Sequence, residues 1–204
     1  MPGYPLTENA LTRRDRLVGV VGLRNLLANV AVGVLAGLAV AHLRLKLGLP
    51  GHKILIWMTP VIIARLLAKH PVGTTSGALS AGCVSVGLGG NFAGDILFLP
   101  LVGMAGLVLD AAVACADRLR TPAWLLIPLM GLAGMVAGII CVAKRLSVPI
   151  VHSHVVFGLS GLPARTVSYA LFGLAAGLVG TTLAVLAQKS APKGNHPTSA
   201  PHAT

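Results

Sequence analysis

The chain has 204 residues, 55% of them hydrophobic and only 10% charged, with a formal net charge of +11 and a mean hydropathy of +0.84. A water-soluble domain of this composition lacks the polar residues to cover its surface, and its length leaves no room for a separate ATPase head or catalytic ectodomain. The positive charge does not point to nucleic acid, because the Lys and Arg residues sit at the ends of apolar runs and only four Phe, two Tyr and two Trp are available for base stacking.

Met1–Thr12 is polar and reads with the next few residues as a mobile lead-in, 1–16, followed by a helical bundle over 17–188 and a disordered tail over 189–204. Leu17–Leu43 is the first predicted helix. Ala39-Val40-Ala41 has the small-residue pattern of a leader cleavage site, but the run is far longer than a leader's apolar core and carries Arg24, Asn25 and Asn29. We therefore expect a retained helix with one polar stripe. Gly48, Pro50 and Gly51 then break the chain. Ile54–Ala68 is short for a span and contains Pro60 and Arg65, and a tight turn at Lys69-His70-Pro71 leads into Val72–Gly90, rich in Gly, Ser and Thr. Ile96–Ala116, Trp124–Ala143 and Thr166–Ala187 complete the set, with a long semi-apolar loop over Lys144–Arg165 that reads as interfacial or re-entrant. A helix crosses a bilayer with ~20 mostly apolar residues. The expected fold class is an all-α integral membrane protein, a bundle of about six transmembrane helices.

Six spans place both termini on one side. That side carries eight Lys and Arg residues (Arg13, Arg14, Arg16, Lys69, Arg118, Arg120, Lys189, Lys193) against six on the other (Arg44, Lys46, Lys53, Lys144, Arg145, Arg165). The bias puts both termini in the cytoplasm, in a multi-pass protein of the inner (plasma) membrane.

The six basic residues on the exterior side stand where topology disfavours them. Together with His52, Asn91, His152 and His154 they describe an anion-binding vestibule, in which Arg44, Lys53, Arg145 and Arg165 pair with carboxylate or phosphate oxygens. Trp57, Met58, Phe92 and Phe157 would enclose the rest of a small ligand. The plainer reading of each basic residue is a snorkelling anchor. His152-x-His154 with His52 has ligands enough to consider a metal, but no thiolate or well-placed carboxylate completes the shell, so no metal or cofactor is expected. Asp110 is the one carboxylate well inside an apolar run. It is either a proton-coupling group or the partner of Arg65 or Arg118, and the pair is the reading we favour. Cys83, Cys115 and Cys141 read as small packing residues. Gly33-x-x-x-Gly37-x-x-x-Ala41, Gly134-x-x-x-Gly138 and Gly173-x-x-x-Gly177 are small-residue stripes that mark close helix contacts, either within the bundle or with a partner subunit. No catalytic motif is present, and no enzymatic activity is expected.

In size, span layout and loop character the chain resembles the substrate-binding (S) components of energy-coupling factor (ECF) vitamin transporters, most of all in the stripe Gly33, Gly37, Ala41 and the loop GLPGHKILIWM, Gly48–Met58. The resemblance implies that the first-helix stripe docks on a transmembrane coupling subunit, itself driven by two ATPases, and that the following loop closes over ligand. Here Gly stands where that family more often has Ala. The chain begins Met1-Pro2, whereas the nickel/cobalt branch presents Met-His, which argues for a vitamin-like cargo rather than a metal. The alternatives are a proton-coupled secondary transporter acting alone and a non-transport assembly or structural subunit. Partners expected in any case are membrane lipids.

Overall fold

A computed structural model describes residues 6–43, 51–88, 98–143 and 159–190, with side chains from Val20 onward in the first of these stretches. They form six α-helices: α1 (Leu6–His42), α2 (Lys53–Ala68), α3 (Gly73–Gly87), α4 (Phe98–Arg118), α5 (Ala123–Val142) and α6 (Gly161–Ser190). Each apolar run of the sequence became one helix. The main difference lies at the start: α1 begins at Leu6, so residues 6–16, expected as a mobile lead-in, are helical. The segment LTENALTRRDR is rich in good helix formers and simply extends the apolar run that follows it. At the other end α6 starts at Gly161, inside the expected loop, and runs on to Ser190.

Four of the six, Val20–His42 of α1 together with α4, α5 and α6, are long and apolar enough to cross a membrane. α2 and α3 have 16 and 15 residues, about 24 and 22 Å of rise, and stop short of a ~30 Å hydrocarbon core. The outward faces are greasy. Val20, Leu23, Leu27 and Leu35 of α1, Leu107 of α4, Leu132 and Ile139 of α5, and Leu171 and Leu186 of α6 are all exposed, whereas the buried faces of α3 and α6 consist of Ala, Gly, Ser and Thr and that of α5 largely of Ala and Gly; α2 and α4 supply the bulky core residues, among them Trp57, Met58, Ile62, Phe98 and Leu109. The small buried faces are the pattern of helices that pack on one another in lipid, where burial of Leu gains nothing.

The helices close a ring in the order α1, α3, α4, α5, α6, α2, with α2 also touching α3 across it. Contacts along each seam give the directions. Gly33 and Gly37 of α1 meet Gly77 and Ala81 of α3, so these two run parallel. Gly106 of α4 meets Thr75 and Gly82 of α3 meets Leu99, an antiparallel pair. Gly134 and Gly138 of α5 lie directly on Gly173 of α6, antiparallel again. α2 and α6 are parallel: Gly51 abuts the Tyr169 ring, Gly180 abuts Ile62, and Gln188 Nε2 donates to the Leu66 carbonyl at 3.0 Å. It follows that α1 starts and α6 finishes at the same end of the bundle, called here the terminal end.

Candidate functional site

Two groups of side chains carry chemistry, one toward each end. Toward the terminal end, Asp110 of α4 is 5% exposed and accepts four hydrogen bonds. Its Oδ1 takes Arg65 Nε at 2.9 Å and the Thr74 N–H at 3.0 Å; its Oδ2 takes the Thr75 N–H at 2.8 Å and Thr75 Oγ1 at 2.7 Å. Of the two candidate partners, Arg65 is the one that pairs with Asp110. The two backbone donors explain why α3 can start as it does. Its N-cap residue is Val72, which has no side-chain oxygen to satisfy the first-turn N–H groups. The carboxylate of a neighbouring helix does so instead, and its negative charge lies against the positive end of the α3 dipole. Asn29 of α1 completes the group: fully buried, it donates through Nδ2 to the Asn25 carbonyl at 2.8 Å, and its Oδ1 crowds Gly73. A Cβ on Gly73 would stand 2.7 Å from Arg65 Cδ and 2.9 Å from Asn29 Oδ1, so only glycine lets α1, α2 and α3 converge here.

At the opposite end lie the described members of the expected vestibule. His52 and Lys53 open α2, Trp57 follows one turn later, and Arg165 sits in the first turns of α6. Lys53 Nζ reaches the Val40 carbonyl of α1 at 3.5 Å, a long contact, and Arg165 is half-buried. Gly51 has φ +88, a backbone conformation that glycine accepts freely, and its bare Cα lets Tyr169 pack directly beneath the entry to α2. This contact holds the α2 entry against α6, one turn from Arg165. Inward of these residues is a small apolar gap of about 10 Å³, about enough for one water, between Val40, Trp57, Ala81, Gly82, Phe98 and Val102. Ser85 also lines it; its hydroxyl is buried and has no partner among the described residues.

The two groups are separated by packed apolar side chains. On α4, Val102 at the gap and Asp110 are eight residues apart, about 12 Å of rise. Met58, Val61, Ile62, Ala78, Ala105 and Leu109 are all at 0% exposure and fill that interval.

Arg44, Asn91, Arg145, His152 and His154, with Phe92 and Phe157, lie outside the described residues. Among the described residues no three His, Cys, Asp or Glu side chains gather as a metal site requires. Sequence reasoning singled out Trp57 but passed over Phe98 and Ser85, which no spacing signal ties to it. The first-helix stripe has a definite occupant. Gly33 and Gly37 are buried, and a Cβ on either would run into the α3 backbone at Gly77 or Ala81. The notch they form is therefore filled from within the chain, while Ala41 at its end is half-buried. Compared with family models, with curated proteins and with solved structures, the chain matches none.

Proposed function

We propose that this protein is the membrane-embedded solute-binding subunit of an ECF-type transporter, taking a small anionic vitamin or precursor at the end of the bundle away from its termini. The observation that carries the reading is that His52, Lys53, Trp57 and Arg165 lie at the end of the bundle away from its termini, with an apolar gap inward of Trp57, whereas toward the other end the buried Arg65 and Asp110 are paired with each other. A cation cluster backed by aromatic surface suits a carboxylate- or phosphate-bearing ring compound. The termini and the Lys69 and Arg118 turns would then face the cytoplasm of a plasma membrane, following the Lys/Arg bias. ATP-driven uptake would come from a coupling subunit and ATPases. Because α3 covers Gly33 and Gly37, the docking of that subunit is not assigned to them.

The rival reading, a carrier that moves a proton through Asp110, needs a carboxyl group with a free oxygen. All the partners around Asp110 are donors, which favours a structural role. Gentle affinity purification from the native membrane, followed by mass spectrometry, tests the proposal. A coupling membrane protein with paired ATPases is the expected result, and recovery of the protein alone would overturn it. Ligand affinity gives the residue-level check: Lys53→Ala and Arg165→Ala should each weaken binding of an anionic vitamin by roughly 10-fold, about 1.4 kcal/mol, with expression unchanged. Unaltered affinity in both removes the anionic vestibule.

A further inference from the structure

The polar group at the terminal end is not closed on itself. Arg65 bonds only through Nε, so its two terminal NH2 groups have no partner among the described residues, and they are not sealed from the surface. Asn29 Oδ1 and Thr74 Oγ1, both on residues at 0% exposure, have none either, and neither has the buried His70 Nδ1 in the connection between α2 and α3. Arg65 Cδ and Asn29 Oδ1 are near neighbours, each within 3 Å of the same point beside Gly73, and Thr74 follows Gly73 in the chain. A buried amide oxygen and a buried hydroxyl left unpaired are expensive.

What would satisfy them has to both give and accept hydrogen bonds. The Arg65 nitrogens offer donors only, Asn29 Oδ1 is an acceptor only, and the Thr74 hydroxyl is both. A simple anion would suit Arg65 but would be repelled by Asn29 Oδ1 and by Asp110; a metal cation would be repelled by Arg65. Water meets every demand, with about three bonds per molecule being usual for buried water.

The backbone supplies a route for it. α2 and α3 are the short helices, and their junction at Lys69–Val72 is level with Asp110. Beyond that level α4 runs on for eight more residues to Arg118, about 12 Å, and α1 extends back from Asn29 to Leu6, about 34 Å. The start of α3 is therefore the floor of a recess between the taller α1 and α4, while α6 ends level with the junction, Gln188 lying against Leu66. We propose that this recess is an aqueous inlet, with ordered water on its floor bridging Arg65, Asn29 and Thr74. The barrier across the bundle then shrinks to the plug of Met58, Val61, Ile62, Ala78, Ala105 and Leu109. The inference is independent of the transporter family and of the cargo.

Silver ion, a water-sized probe that attacks thiolates, tests it in sealed membrane vesicles of each orientation. Cys83, Cys115 and Cys141 are first replaced by Ala, and Thr74→Cys or, as the control inside the plug, Ala78→Cys is introduced. Because the thiolate is the reactive form and exists only where water reaches, Thr74→Cys should be consumed from the terminal side roughly a hundredfold faster than Ala78→Cys. Equal protection of the two from both sides would overturn the inlet, and so would reaction of Thr74→Cys from the opposite side alone. Asn29→Cys gives the same comparison if Thr74→Cys unfolds.

Discussion

The α5–α6 seam and the α2–α3–α4 junction hold helices together by opposite means. Along the seam, Gly134, Gly138, Gly173 and Gly177 set backbone against backbone. At the junction, one carboxylate gathers a guanidinium, two backbone N–H groups and a hydroxyl from two other helices. The seam works by shape and tolerates any surroundings; the junction works by charge and depends on all its members being present. In lipid, where burying Leu drives nothing, these are the two devices left for specifying which helices are neighbours.

The largest expected effect comes from splitting the charge pair. Asp110→Ala leaves Arg65 buried without its counter-charge and the first turn of α3 without acceptors, and should lower stability in detergent by about 3–5 kcal/mol. Replacing both partners together, Arg65→Met with Asp110→Leu, should recover much of that loss in the same thermal unfolding assay. If the double variant is no better than the single one, the junction depends on the capping of α3 rather than on the ion pair. Next comes the seam. Gly173→Leu would drive a side chain into the Gly134 carbonyl, with an expected loss of about 1–3 kcal/mol from overpacking. A loss as large as that of Asp110→Ala would erase the distinction drawn between the two regions. The smallest effect is expected at Gly22, in the middle of α1 with open space where a Cβ would be. Gly22→Ala should stabilise the protein by up to about 1 kcal/mol through helix propensity alone, and a clear loss would reveal a partner resting on that face of α1.

The helices were legible because each apolar run is bounded by Gly, Pro or basic residues, and ends came out within a few residues wherever polarity changes sharply. The start of α1 was missed because charged Leu6–Arg16 has the composition of a tail as well as of a helix. Asp110 was legible as one half of a pair, since a lone carboxylate in an apolar run calls for a cation. Its second task, capping α3, was not, because it depends on Thr74 and Thr75 arriving from another helix. The glycine stripes showed their faces but not their partners: spacing reports that a face is flat and says nothing of what lies on it. Arg44, Asn91, Arg145, His152 and His154 fall outside the described residues, so of the vestibule only His52, Lys53, Trp57, Met58 and Arg165 have been located, Met58 within the apolar plug.

The borrowed cap of α3 bears on how the protein is made. α3 is too short to rank among the helices apolar and long enough to cross a membrane by themselves, and it carries neither a Lys or Arg in its last turn nor an acid in its first. Leaving the insertion machinery by itself, it would enter lipid with bare N–H groups at its leading turn. Those groups find their acceptor only when Asp110, 36 residues after Thr74, has been synthesised. The α3–α4 hairpin is then the expected unit of insertion, and a chain ending between Gly87 and Asp110 should leave the first turn of α3 without its acceptor.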